Sequence, residues 1–256
     1  EKNKMNEYGN LLPQFEKNYK NMTPYTLARY YFQEVTLRNN ELLSVGFRLY
    51  QLENAFTKGG EQAFNDRKDN LIKGLESLYK DYNKDVDHGV FNETVKLYGT
   101  KAPANLTPAS IKDKDYVALG NDIYSKSALT SYDGLKKLMN GKAADVVKNM
   151  QKDPGYVLAK SLAANYFDNV APSYDKMALE LESLQRTYMK AQLELFPDAR
   201  IFPDANSTLR VTYGKVNGYQ PSDAVTYSHV TYLDGVIEKY VPNDYEFDVP
   251  QKLIDL

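Results

Sequence analysis

The feature that most limits how this chain can fold is a change of hydrophobic period near Thr208. Upstream, apolar residues recur every three or four positions, as on one face of a helix. From Thr208 they alternate, with Leu209, Val211 and Tyr213 on one side and Thr208, Arg210 and Thr212 on the other, the two-residue period of a half-buried strand. Pro203, Asp204, Asn206 and Ser207 just before it are turn formers. The expected fold class is mainly α: an elongated multi-helix domain over residues 1–201 with two long helices, then a short β segment over 202–256. A strand at 208–216 needs partners. Gly218, Pro221, Pro242 and Pro250 break the C-terminal stretch into short pieces, leaving 224–227 and 229–233 as the segments able to pair. The β part reads as unfinished.

Within the helical part, Thr23-Pro24 has the form of an N-cap hydroxyl followed by proline at the first helical position. Ala28, Phe32, Val35, Asn39, Leu42, Gly46, Leu49 and Phe56 continue a seam from there, and Gly59-Gly60 stops it, which predicts a rod of roughly 50 Å. Asn39 interrupts that seam. It fixes register, contacts a ligand, or is a partly buried amide bonded to a neighbouring helix, and the last is the expectation. A helix follows over 61–82, then a shorter one capped by Asp85 or Asp87 and ended by Gly99. Pro103 and Pro108 make 101–110 a loop, and shorter helices are expected near 121–128, 132–139 and 142–150. Asp153-Pro154 opens a helix to about Asn169. From Pro172, the series Tyr174, Met177, Leu181, Leu184, Tyr188, Ala191 and Leu195 keeps a heptad seam, giving a second rod near 37 Å. Packing one rod on the other is expected to make an elongated stack.

Composition narrows function mainly by exclusion. With 42% hydrophobic and 26% charged residues the chain has the make-up of a globular protein. A net charge of -2 offers no general attraction to phosphate backbones, so nucleic acid is not an expected partner. Apolar runs are too short for a membrane span, and Glu1-Lys2-Asn3-Lys4 does not begin a signal peptide, so any targeting segment is expected outside this sequence. Cysteine is absent, which removes disulfides and thiolate chemistry, and 22 tyrosines suggest broad helix surfaces with buried rings and wet hydroxyls. Of two histidines, His88 lies near Asp85, Asp87 and Glu93, inviting a metal or acid–base reading against the plainer one of a solvated helix cap. His229 follows Ser228 in a strand-like segment, where neighbouring side chains point to opposite faces and cannot pair. Glu180 and Glu182 lie on different helix faces. Neither metal-ligand spacing, a phosphate-binding glycine loop nor a nucleophile elbow occurs. No catalytic, cofactor-binding or metal residues are assigned within the chain.

The segment Pro203-Asp204-Ala205-Asn206-Ser207-Thr208-Leu209-Arg210-Val211-Thr212-Tyr213-Gly214-Lys215-Val216, continued by Gly218-Tyr219 and by Thr231-Tyr232-Leu233-Asp234-Gly235-Val236-Ile237-Glu238-Lys239-Tyr240, resembles the bacterial dipeptidyl-peptidase 7 and dipeptidyl-peptidase 11 family. Leu37-Arg38-Asn39-Asn40-Glu41-Leu42 is similar to that family's helical domain. The resemblance implies a larger enzyme: a chymotrypsin-like double β-barrel with a Ser-His-Asp triad, and a helical domain inserted as a cap over the cleft. It implies removal of dipeptides from free peptide N-termini, export to the periplasm or cell surface, and a homodimer. The Gly-Asn-Ser-Gly-Ser-Pro serine motif is absent here and is expected beyond Leu256, with the other triad residues before Glu1. On that reading the strand at Thr208 belongs to an incomplete barrel, and the piece hides its exposed edge by folding back or self-associating. The rival expectation is a free-standing helical interaction module without catalytic activity.

Overall fold

A computed structural model describes residues 2–199, 201, 205 and 207–256. The chain forms two compact units, residues 1–199 and 200–256. The first is helical: α1 (Lys2–Tyr8), α2 (Leu11–Phe32), a π-helical segment (Gln33–Arg38), α3 (Glu41–Asp81), α4 (Lys84–Lys101), α5 (Tyr116–Lys126), α6 (Tyr132–Leu138), α7 (Ala143–Met150), α8 (Pro154–Asn165), a second π-helical segment (Tyr166–Val170) and α9 (Ala171–Leu195). No helix among the described residues is long and apolar enough to cross a membrane.

Several helix boundaries differ from the sequence reading. Thr23 does not cap a helix. It lies inside α2, its hydroxyl donating to the Tyr19 carbonyl at 2.8 Å, and Pro24 is a helix-interior residue. A threonine hydroxyl can bond the carbonyl four residues back inside a helix as well as cap a helix start, so a Thr-Pro pair by itself does not locate the start. The rod expected to end at Gly59-Gly60 breaks earlier, where the π-helical segment gives way to Asn39 and an extended Asn40 (φ −120°, ψ 112°). Gly60 does break the helical path, with φ +68° and ψ −160°, before α3 resumes. The last rod pairs antiparallel with α2: Phe15 meets Tyr188 edge-on at 5.9 Å, Asn18 donates to the Met177 carbonyl at 3.3 Å, and the Arg29 guanidinium lies 4.7 Å from the Tyr174 ring.

The main core gathers residues from α2 through α8 around Phe32, Leu42, Leu49, Phe64, Phe91, Leu135 and Leu162. Small residues set the closest approach: a Cβ on Gly46 would stand 2.6 Å from the Ala159 Cβ. Three buried carboxylates organise the polar groups around this core. Asp87, 1% exposed, accepts the Glu41 and Leu42 amides at 2.9 and 3.1 Å, and hydroxyls from Tyr124 at 2.6 Å and Tyr82 at 3.3 Å. It thereby caps α3 from a different helix, where the orphan amides and the helix dipole both favour an anion. Its own helix α4 is capped by Asn83, which accepts the Asp85 and Val86 amides, not by Asp85 or Asp87. Asp153 caps α8 as expected, accepting the Tyr156 amide, and also takes the Ser127 hydroxyl at 2.7 Å and the Ala128 amide at 2.7 Å. Glu53 accepts from Gln151 at 2.6 Å, Lys160 at 2.8 Å and the Tyr156 hydroxyl. Burial pushes the Glu53 carboxyl up, but these hydrogen bonds outweigh it and hold the group below its ordinary value.

The second unit is sparse in regular structure. β1 (Tyr219–Ser222) and β2 (Val225–Tyr227) form an antiparallel hairpin pairing Tyr219 with Tyr227 and Ser222 with Val225. Ala224 turns it with φ +60°. Two single-turn helices come next, α10 (Asp234–Ile237) and α11 (Gln251–Ile254). The expected turn falls partly on Pro203, Asp204 and Asn206, which lie outside the described residues; Ser207 has φ +65°. The expected strand over 208–216 is not paired into a ladder, and 229–233 is not a strand. Leu209, Val211 and Tyr213 are 99%, 84% and 97% exposed, so the chain does not fold back over them. Alternation showed that this segment has a face to bury, but a ladder requires a neighbouring strand at about 4.8 Å.

Two stability results are expected. Asp87→Ala leaves two helix amides and the Tyr124 hydroxyl without their acceptor and lowers unfolding free energy by about 2–4 kcal/mol. Tyr124→Phe costs about 1–2 kcal/mol, whereas Tyr98→Phe is neutral or stabilising, because the buried Tyr98 hydroxyl has no partner among the described residues. Urea titrations followed by helical circular dichroism check all three.

The second result concerns alkaline pH. Burial, with the Asp87 charge at Tyr124 and the Glu53 hydrogen bond at Tyr156, pushes Tyr98, Tyr124 and Tyr156 far above the ordinary phenol value. A folded value above the unfolded one gives stability that is complete below about pH 10 and is lost above it, at up to ~1.4 kcal/mol per pH unit for each tyrosine. Phenolate absorbance is expected to rise in two phases, the second coinciding with loss of helical circular dichroism.

Candidate functional site

The two π-helical segments follow α2 and α8 directly. Such a segment bonds i to i+5, so it adds a residue to a turn and re-aims every side chain after it. Phe32, at the entry to the first, stacks on Tyr166, the first residue of the second, with ring centroids 4.3 Å apart and planes within 6°. Phe32 also meets Phe47 at 6.0 Å and Phe167 at 6.3 Å, both edge-on. Phe167 then lies nearly parallel to Phe47 and Tyr50, at 6.5 and 6.4 Å. Phe32 is 2% exposed and Phe167 is 45% exposed, so the ring series runs from the core to the surface.

At its outer end is a cleft of about 530 Å³ walled by Phe47, Tyr50 and Phe167. Gln51, Asn54 and Lys58 continue the α3 face of Phe47 at helical spacing, and Arg67 joins them from beyond the Gly60 break. The cleft therefore combines flat apolar faces with two amides and two cations. Lys58 and Arg67 form no ion pair among the described residues. Its lining contains no nucleophile next to a base. Flat apolar faces beside amides and cations make a surface suited to binding.

The residues singled out in the sequence are not gathered here. Asn39 is exposed and bonds locally, donating to the Glu34 carbonyl at 3.0 Å and to the Glu34 carboxylate at 3.1 Å. The buried amide that reaches a neighbouring helix is Asn40, which donates to the Val35 carbonyl at 3.0 Å and to the Thr94 hydroxyl at 2.8 Å. The extra π-helical residue shifts the inward position by one. His88 stacks on Tyr124 at 4.6 Å instead of serving as a solvated cap, and Asp87 is committed to the α3 amides. Among the described residues no three potential ligands cluster to hold a metal. His229 is exposed in the second unit, and Ser228 Oγ accepts the Val230 amide at 3.2 Å. Glu180 sits against Asn18 and Glu182 pairs with Arg186, on the separate faces expected.

Sequence reasoning missed Lys58, Arg67 and Phe167. The spacing of Phe47, Tyr50, Gln51, Asn54 and Lys58 was a readable face of one helix. Nothing in the sequence indicated that Phe167 and Arg67 would close its other sides.

Comparison with known proteins places the chain in a family. The peptidase S46 family model matches residues 1–256. The chain is 58% identical over 253 residues to the Asp/Glu-specific dipeptidyl-peptidase of Flavobacterium psychrophilum, covering 99% of this chain and 36% of that protein. It is 50% identical over 255 residues to the Asp/Glu-specific dipeptidyl-peptidase of Capnocytophaga gingivalis, with the same coverage of 99% and 36%. The crystal structure of Porphyromonas endodontalis DPP11 in an alternate conformation superposes with a TM-score of 0.62 at 26% identity, covering 96% of this chain and 37% of that one. The chain thus spans just over a third of the length of the curated relatives it matches. Matched along its whole length by the family model, the chain belongs to the peptidase S46 family.

Proposed function

We propose that this chain is the helical cap portion, with the first part of a β domain, of a serine dipeptidyl peptidase. The Ser-His-Asp triad is carried by barrel segments of the parent protein outside residues 1–256, and the chain by itself does not hydrolyse peptides. The observation that carries this reading is the match over 99% of the chain to a relative of which it covers only 36%. The exposed apolar series Leu209, Val211 and Tyr213 supports it, since an alternating segment without a ladder is a strand edge prepared for neighbours.

The substrate is a peptide with a free N-terminus, from which a dipeptide is released. The relatives' Asp/Glu specificity suggests an acidic second residue. The helical portion acts by limiting entry and by excluding water when it closes over the bound end, so that remote binding energy orients the scissile bond. Its partners are the peptide, the barrel segments of the same protein and a second copy in a homodimer. The parent protein works in the periplasm or at the cell surface.

The parent protein is expected to release the dipeptide from a chromogenic substrate with glutamate in second place, and to lose at least ~10³-fold in rate when the serine of its Gly-Asn-Ser-Gly-Ser turn is replaced by alanine. N-acetylation of the substrate is expected to abolish release. Turnover by the 256-residue chain alone would overturn the assignment.

A further inference from the structure

The cleft of Phe47, Tyr50 and Phe167 has a composition that selects its occupant. The three rings offer faces within 21° of parallel around Phe167 for Phe47 and Tyr50, which favours a flat side chain laid against them. Lys58 and Arg67 reach the same space from either side of the Gly60 break, and Gln51 and Asn54 add amide donors to the lining. Carboxylates among the described residues leave both cations without an ion-pair partner, so the cleft presents two positive charges to whatever enters. Asp66 and Asp168, the acids adjacent in sequence to Arg67 and Phe167, do not line it.

We infer that this cleft binds an acidic segment of polypeptide that also carries an aromatic residue, the ring stacking on Phe167 and the carboxylates meeting Lys58 and Arg67. Aromatic faces with cations also suit single-stranded nucleic acid. A chain of net charge -2 lacks the extended positive surface that tracks a phosphate backbone, and two cations in one cleft match the charge of a short acidic peptide. The inference goes beyond the access role proposed above, because a blocked peptide that no dipeptidyl peptidase can use is still expected to bind. Failure of hydrolysis in the parent protein and failure of binding in this chain are therefore separate results.

The chain has no tryptophan, so the indole fluorescence of an added peptide reports binding directly. The probe is a short N-acetylated, C-amidated peptide of alternating glutamate and tryptophan, titrated with the 256-residue chain at low salt. A saturable blue shift is expected. Lys58→Gln and Arg67→Gln are each expected to weaken it about three- to fivefold, and the double variant about tenfold or more. Phe167→Leu is expected to weaken it about threefold at unchanged charge. Both cations are exposed, so helical circular dichroism is expected to be unchanged in the charge variants. Raising salt is expected to weaken binding to the unaltered chain. Equal binding of the matching glutamine–tryptophan peptide overturns the inference, as does wild-type affinity in the double variant. Displacement of the peptide by a lower concentration of oligothymidylate overturns it in favour of nucleic acid.

Discussion

The helical unit depends on one carboxylate. Asp87 belongs to α4 but serves α3, accepting the first amides of that helix while two tyrosine hydroxyls, from Tyr82 and Tyr124, complete its shell. A buried anion is costly unless its lone pairs are filled, and here they are filled by groups from several elements. The same contacts fix where α3 begins, how α4 lies against it and where α5 presents Tyr124. His88 follows from this arrangement, since it stacks on the ring whose hydroxyl Asp87 holds. Burial and the Asp87 charge together also hold the Glu41 carboxyl above its ordinary value, which marks how strongly the site is committed to a single anion.

The two π-helical segments are the second constraint. The first ends where α2 gives way to the extended Asn40, the second joins α8 to α9 without a break, and Phe32 and Tyr166 at their starts stand face to face. That stack anchors Phe167 at the surface beside Phe47 and Tyr50. The cleft thus results from two local departures from the α-helical repeat that happen to be packed on each other. Its cations come from α3 on both sides of a glycine that only φ near +68° can serve.

The second unit obeys a different physical regime. Its hairpin is short, its residues are mostly exposed, and the alternating segment from Thr208 has no ladder. The curated relatives it matches are nearly three times as long, and within the described residues Leu209, Val211 and Tyr213 stay exposed.

The mainly helical class, the change of character after residue 200, the Asp153 cap and the break at Gly60 were legible in the sequence, because each depends on residues close together in the chain. Periodicity reports which face of a segment is apolar, and caps and glycines act over a single turn. The family was legible as well, through the run from Pro203 to Tyr240. What only the tertiary structure decided was which partner each face and each polar group meets. Thr23-Pro24 could begin a helix or lie within one, and the packing of α2 on α9 settled it in favour of the interior. Asn39 and Asn40 differ by one residue, and the π-helical insertion chose which turned inward. Asp87 looked like a cap for its own helix and became the cap of another. Hydrophobic period is a local property of the backbone repeat, whereas hydrogen-bond partners and cleft walls come from residues far apart in sequence, so their identity exists only once the helices are packed.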